Sequence, residues 1–178
     1  DAMMQSFRGS GPQRPAVTIV SGGQTGVDRA ALDVAIELGL IYRGWCPRDG
    51  WAEDMPVPPG VLAHYANLRE TPTPDPRQRT EWNVRDSDRL LVLADGTGLA
   101  ASKGTAVAVE CARRLGNPYM IVNLDVGEAR AQAAAFLREP HRQLALNIAG
   151  PRESEAPGIY TKARTFLLAV FRCRRISD

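Results

Sequence analysis

Residues 16–39 read AVTIVSGGQTGVDRAALDVAIELG, and this stretch decides the fold. It opens with a short, β-branched, apolar run, which predicts a buried strand. Alanine, valine and leucine then recur at helical spacing over residues 27–38, and Gly39 follows as a C-cap. Because residues 21–26 join the two as a glycine-rich turn, the stretch predicts a strand–turn–helix unit.

The same alternation of apolar strands and amphipathic helices continues along the chain. The strands are continuously apolar, which is typical of a parallel sheet covered by helices on both faces. Residues 46–76 hold many prolines and predict an irregular loop. The predicted strands are 16–20, 41–45, 89–94, 119–124 and 145–149, and the predicted helices are 27–38, 77–86, 105–115, 127–138 and 160–174.

Length and composition predict one domain. The chain has 178 residues, of which we assign 16–178 to that domain and 1–15 to a disordered tail. The tail opens with Asp1-Ala2-Met3, interpreted as a cloning remnant. No apolar run approaches the ~20 residues of a membrane span, so we expect neither a membrane segment nor a secretory signal.

Charge and cysteine content narrow the class of protein further. The 22 basic and 20 acidic residues give a formal net charge of +2, too balanced to indicate nucleic-acid binding through a bulk field. Three scattered cysteines do not form a disulfide framework, so we expect a reducing, cytoplasmic location. The two histidines and these cysteines lack metal-ligand spacing, so no protein-ligated metal is predicted.

The turn over residues 21–26 is the first candidate binding site. Its glycines allow close approach of an anion to the backbone, and the following helix offers unpaired N–H groups at its start. It is neither a G-x-G-x-x-G fingerprint nor a P-loop, and the alternative is a tight turn without a ligand. The candidate residues here are Gly22, Gly23, Gln24, Thr25, Gly26 and Asp28.

A second glycine-containing turn follows the strand predicted at 89–94. It also precedes a helix, so both turns would lie at the carboxyl edge of the sheet, where one ligand could contact both. A second phosphate or a ribose could bind here, with lysine supplying charge; the alternative is a flexible loop with a Ser/Thr helix cap. Its candidate residues are Asp95, Ser102, Lys103, Gly104 and Thr105.

Three smaller patterns have a functional and a structural interpretation each. Arg79 and Asn83 are four residues apart and share a helix face. This face would be turned either towards a ligand or towards solvent. Glu53 and Asp54 could form an acid/base pair, or be surface charge. Cys46 is interpreted as a small core residue.

Residues 21–33, SGGQTGVDRAALD, resemble the opening motif of the family labelled "putative molybdenum carrier". That family is a circularly permuted YpsA-like branch of the SLOG superfamily and is related to the LOG proteins. The resemblance covers nearly the whole chain, from Val17 to about Leu168. Further matching motifs follow in order at 44–47, 52–54, 70–72, 79–80, 83–84, 87–88, 104–105, 147–153 and 157–160.

The resemblance implies a Rossmann-like three-layer α/β sandwich with a mainly parallel sheet of about five strands. It also implies a carrier for a ligand with a phosphate and a flat ring. The first candidate is molybdenum cofactor, a pterin with a terminal phosphate, and the second is another nucleotide derivative. On this interpretation the turn at 21–26 binds the phosphate, and Trp45 or Trp51 flanks the ring. Relatives of the fold and the apolar C-terminal helix suggest a homo-oligomer, either dimer or tetramer.

The LOG relatives suggest an alternative function, phosphoribohydrolysis of nucleoside monophosphates. In that case Glu110 would stabilise the ribosyl cation and Arg79 would hold the phosphate. The spacing from Thr105 to Glu110 departs from the G-x-G-T-x-x-E motif of those enzymes, which argues against this alternative. A nucleic-acid-binding module is a third possibility, and the near-neutral net charge argues against it.

Overall fold

Six parallel strands form the central sheet, in a computed structural model that describes residues 16–96, 102–138 and 143–176. The strands are β1 (Ala16–Val20), β2 (Ile41–Cys46), β3 (Leu68–Glu70), β4 (Arg89–Ala94), β5 (Tyr119–Asn123) and β6 (Gln143–Ala149). They lie in the order β3-β2-β1-β6-β4-β5, and every neighbouring pair is parallel. The predicted tail and residues 97–101 of the second turn lie outside the described residues.

Helices cover both faces of this sheet. In β4, Leu91 and Leu93 belong to a buried cluster with residues of α1, α4 and α5, whereas Leu90 and Val92 pack with α2 and α3. Alternate residues of one strand therefore face two helical layers, which confirms the predicted three-layer α/β fold. The helices are α1 (Val27–Leu38), α2 (Pro76–Arg85), α3 (Lys103–Leu115), α4 (Ala129–Phe136) and α5 (Ile159–Ile176).

The sheet has one strand more than the predicted five. The additional strand, β3, lies inside the segment predicted as an irregular loop and pairs with β2 at the sheet edge. It is only three residues long and only Leu68 in it is buried, so hydrophobic periodicity could not indicate it. Helices α2 and α3 begin slightly earlier than predicted, because Asp75 and Ser102 cap their first turns.

The position of β6 determines where a ligand can bind. It lies between β1 and β4, and it pairs in parallel with both. From β1 the chain continues towards one edge of the sheet, and from β4 it continues towards the other. Such a reversal of strand order leaves a crevice at the carboxyl ends of the strands. Both glycine-containing turns start at this edge.

The apolar face of α5 is buried inside the chain. Phe166, Leu167, Leu168, Val170 and Phe171 all belong to the cluster that α5 shares with α1 and the sheet. The apolar helix therefore gives no support to a homo-oligomer, which stays a prediction. No helix in the described part of the chain is long and apolar enough to cross a membrane.

We expect Leu146→Ala to lower the free energy of unfolding by about 2–5 kcal/mol, because it opens a cavity in the central strand. The Leu146 side chain is fully buried between the strands that flank the crevice. Ile121→Ala, at an edge-strand position that is 41% exposed, is the matched control and should cost about 1 kcal/mol or less. Urea denaturation measures the free energy of unfolding of both variants. An equal decrease in the two would contradict the assignment of Leu146 to the core.

Candidate functional site

A cavity of about 330 Å³ lies at the carboxyl edge of the sheet. Its walls come from the first turn, the N-terminal turns of α2 and α3, the end of β6 and the segment after it. Residues from both glycine-containing turns therefore meet at one cavity, as predicted. The sequence-predicted residues that line it are Gly22, Gln24, Asp28, Arg79, Asn83, Ser102, Lys103, Gly104 and Thr105.

A buried ion pair forms part of the cavity wall. Arg79 Nη1 on α2 lies 3.4 Å from Asp28 Oδ2 on α1 and donates a hydrogen bond of 2.9 Å to the carbonyl of Gly22. A Cβ on Gly22 would lie 2.9 Å from Asp28 Oδ2 and closer still to Arg79 Nη1. Glycine at this position therefore leaves room for the ion pair.

Burial dominates the protonation equilibria of this pair. It raises the pKa of Asp28, and the attraction of Arg79 and the N–H of Gln24 lower it again only in part. Burial also lowers the pKa of Arg79, which Asp28 opposes. Each group is therefore stabilised in its charged form chiefly by the other, as expected for two charges removed from water together.

Two buried residues at the cavity have side-chain amide atoms without a partner among the described residues. Asn147, near the end of β6, is 3% exposed, and its side-chain amide makes no hydrogen bond there. Gln24 Oε1 accepts hydrogen bonds of 3.0 Å from the N–H groups of Thr25 and Glu53, but Gln24 Nε2 has no acceptor. Because an unpaired buried polar group costs ~1–3 kcal/mol, a polar molecule that accepts a hydrogen bond from Gln24 Nε2 would stabilise this site.

Charged side chains at the cavity mouth are predominantly basic. Lys103, Arg77 and Arg152 line it and are more exposed than the buried ion pair. The two acidic side chains beside them are used within the protein, because Asp75 caps α2 and Glu155 accepts a hydrogen bond from the Arg152 N–H. Arg77 is also paired with Glu81 at 3.1 Å, so Lys103 and Arg152 are the cations of the mouth that form no ion pair among the described residues.

The N-terminus of α3 adds backbone donors to this mouth. Ser102 caps the helix by accepting a hydrogen bond of 3.2 Å from the N–H of Thr105. The N–H groups of Lys103 and Gly104 have no acceptor among the described residues. A Cβ on Gly104 would have no atom within 4 Å, so the backbone is open to approach here. Free amides and a lysine at a helix N-terminus suit a phosphate group.

The first turn uses most of its own amides internally. Gln24 N–H donates to Asp28 Oδ2 at 3.3 Å, and Val27 N–H donates to the Pro151 carbonyl at the same distance. The N–H of Gly23 is directed at Ser21 Oγ and lies 3.4 Å away. These donors already have protein acceptors, so the predicted binding of phosphate by the turn at 21–26 stays a prediction.

Glu53 and Asp54 hold the first turn in place. Glu53 accepts hydrogen bonds from the hydroxyls of Thr25 and Ser154, which link three segments of the chain. Asp54 receives two hydrogen bonds of 2.9 Å from the guanidinium of Arg29. Burial raises the pKa of Glu53, but the hydrogen bonds from Ser154 and Thr25 lower it by more. Glu53 and Asp54 therefore act as a clamp, Glu53 through hydroxyl groups and Asp54 through an ion pair with Arg29.

The other sequence-predicted residues lie elsewhere. Thr25 and Gly26 line a separate shallow depression beside the clamp, and Gly23 packs against Leu68 and Val61. Asn83 also holds the backbone of Trp45 through two hydrogen bonds. The residues that do not line the cavity are Gly23, Thr25, Gly26, Asp95, Glu110, Trp45 and Trp51.

Glu110 points away from the cavity. Its side chain is 64% exposed and forms an ion pair with Arg113 on the same helix. The structure therefore does not bring together Glu110 and Arg79, the two residues that the phosphoribohydrolase alternative requires.

Sequence reasoning missed several residues of the cavity. Asn147, Gly150, Arg152 and Glu155 line it, although the first three had been noted only as part of a matching motif and Glu155 not at all. Asn147 carried a signal, because it is the polar residue inside the apolar run of β6. The others lie in a loop whose path no local pattern indicates.

We expect the clamp to make the stability depend on acidic pH. The hydrogen bonds from Arg29 are the main reason that the pKa of Asp54 is lowered below its unfolded value of about 3.9. A lowered pKa in the folded state contributes stability above that value, and the contribution is lost as the pH falls through the folded pKa. Asp54→Asn should therefore show a shallower loss of unfolding free energy between pH 5 and pH 2.

Urea denaturation of both proteins across this pH range measures the difference. Asp49→Asn is the matched control, because Asp49 has 59% of its side chain exposed and Asn tolerates its positive φ of 66°. A stability difference between wild type and Asp54→Asn that is the same at every pH would contradict the role of the Arg29–Asp54 pair.

Comparisons with known proteins place this chain in a family. No curated protein was found that matches the chain. The chain is similar to the crystal structure of a "putative molybdenum carrier protein" from Syntrophus aciditrophicus SB, with 39% sequence identity and a TM-score of 0.75. That similarity covers 88% of this chain and 96% of the other. Residues 19–171 match the model of the circularly permutated YpsA SLOG family. The chain therefore belongs to the circularly permutated YpsA SLOG family, as the motif at residues 21–33 had indicated.

Proposed function

We propose that this protein is a carrier that binds a small molecule with a phosphate and a flat ring in the cavity at the carboxyl edge of the sheet. Molybdenum cofactor is the first candidate for this cargo, and another nucleotide derivative is the second. The description of the similar Syntrophus aciditrophicus protein supports the first candidate. The observation that carries the proposal is the combination of unpartnered buried amides with a basic cavity mouth.

The phosphate is assigned to the N-terminus of α3. Lys103 supplies a positive charge at one end of the cavity, and the N–H groups of Lys103 and Gly104, which have no acceptor among the described residues, supply two donors. Arg152 adds charge at the same mouth, whereas Arg77 is paired with Glu81. Hydrogen bonds between charged donors and a phosphate are about twice as strong as neutral ones, so this group would contribute much of the affinity.

The size and composition of the cavity agree with such a ligand. Its volume of about 330 Å³ lies at the lower end of the range for small-molecule sites, which is roughly 300–1,000 Å³. The volume, the phosphate donors and the buried polar groups of the cavity therefore support a phosphorylated pterin or nucleotide as the ligand.

The mechanism that follows is capture, shielding and release. The charged mouth attracts the phosphorylated ligand, and the buried amides form hydrogen bonds with its ring in place of water. Glu110 lies outside the cavity, so the residues present support binding better than cleavage of a glycosidic bond.

We expect Lys103→Glu to weaken binding of molybdenum cofactor and of GMP by about tenfold or more, because it replaces a phosphate contact with a repulsive charge. Arg113→Glu is the matched control. It makes the same charge change on the same helix, at a residue that does not line the cavity and is 63% exposed. Its affinities should stay within about twofold of the wild type. Isothermal titration calorimetry measures the affinity for GMP, and anaerobic native mass spectrometry measures the uptake of the cofactor.

Two results would contradict this proposal. One is equal weakening by Lys103→Glu and Arg113→Glu, because the effect would then be the overall charge and not a contact. The other is release of free guanine during incubation with GMP, detected by chromatography, because a carrier returns its ligand unchanged.

A further inference from the structure

We infer that the cavity floor, formed by Asp28, Arg79, Gln24 and Asn147, recognises the amide–amidine edge of a 2-amino-4-oxo pyrimidine ring, as found in guanine and in pterins. This inference rests on the proposed function and specifies the ring of the ligand. In it, the Asp28 carboxylate accepts hydrogen bonds from the ring N–H and from the neighbouring amino group.

The distribution of charge separates the two ends of the cavity. The floor holds one buried carboxylate and one buried guanidinium, 3.4 Å apart, so its charges cancel. The mouth holds Lys103, Arg77 and Arg152 at more exposed positions. Because the pair is neutral overall, the floor offers a phosphate dianion no net attraction, whereas the mouth offers Lys103 and the N-terminus of α3. The phosphate therefore belongs at the mouth and the neutral ring at the floor.

The floor offers acceptors and donors that the protein itself does not use. Asp28 Oδ2 faces Arg79 and Gln24 N–H, but Asp28 Oδ1 accepts no hydrogen bond from any described residue. Arg79 Nη2 likewise has no acceptor in the described part of the chain. Both residues line the cavity and both are at least nine-tenths buried.

The orientation of the Gln24 amide is determined by its neighbours. Its Oε1 accepts from two backbone N–H groups, so its Nε2 is the free atom and is a donor. The Asn147 amide supplies one further donor and one further acceptor. The floor thus combines a carboxylate, which only accepts, with at least two unused donors.

This combination matches one class of ring edge. Guanine and pterins present two adjacent donors, a ring N–H and an amino group, beside a carbonyl acceptor. A carboxylate pairs with the two donors, and a guanidinium or amide nitrogen pairs with the carbonyl. Adenine presents a ring nitrogen lone pair where guanine has the N–H, so it would place an acceptor against Asp28. The floor should therefore discriminate against adenine.

The experiment compares GMP, IMP and AMP on the wild-type protein by isothermal titration calorimetry. IMP keeps the ring N–H and the carbonyl of GMP but lacks the amino group, so the ratio of the two affinities isolates one contact. We expect GMP to bind about tenfold or more tightly than IMP, and AMP to bind more weakly than IMP. In Asp28→Asn the ratio of GMP to IMP affinity should fall towards one.

A second variant covers the case in which Asp28→Asn fails to fold because Arg79 loses its partner. The double variant Asp28→Asn with Arg79→Gln removes both charges together and leaves no uncompensated buried charge. It should also lose the preference for GMP over IMP. A preference that persists in either folded variant would overturn the inference.

The remaining outcomes distinguish this inference from the proposed function. Equal binding of GMP, IMP and AMP, each weakened by Lys103→Glu, would overturn ring recognition and leave the phosphate-binding carrier intact. Failure of all three nucleotides to bind would also overturn the inference. The proposed function would then be decided separately by uptake of molybdenum cofactor.

Discussion

The buried ion pair between Asp28 and Arg79 is the interaction on which the site depends. It joins α1 and α2, which cover opposite faces of the sheet, at the point where β1 ends. Removing one member of such a pair costs about 3–5 kcal/mol, because the other charge stays buried without compensation. The pair requires glycine at position 22, since a side chain there would displace the Arg79 guanidinium. A turn that resembles an anion site thus serves first to pack two charged side chains.

This pair also explains why the cavity has two chemically different ends. Asp28 neutralises the Arg79 guanidinium at the floor. The positive charge without a buried partner therefore lies at the mouth, around Lys103 and the start of α3. The strand order contributes to that separation, because Asp28 follows β1 and Lys103 follows β4, and β6 lies between these two strands. Architecture and electrostatics therefore favour one orientation of the ligand, with its charged end at the mouth and its flat ring at the floor.

The sequence predicted the fold better than the site, and the reason is physical. Continuous apolar runs and helical spacing indicated five of the six strands and all five described helices, because burial enforces those patterns. The strand β3 was missed because its three residues carry almost no burial signal. Local patterns placed Lys103 and Arg79 at the cavity but could not place Arg152, whose loop reaches the site only through tertiary packing. Nor could they reveal that Glu110 faces solvent.

Hydrogen-bond partners separate structural from functional polar residues better than residue type does. Glu53 and Asp54 resemble a catalytic pair in the sequence, yet Thr25, Ser154 and Arg29 occupy their oxygens. Asn147 resembles an interruption of a strand, yet its amide is buried at the cavity without a partner among the described residues. A polar group that the protein satisfies holds the fold, whereas one left unsatisfied in a cavity costs stability until a ligand pairs with it. Among the described residues, the amides of Gln24 and Asn147 lie unpaired at one cavity, so the free energy they forgo in the empty protein becomes available for binding.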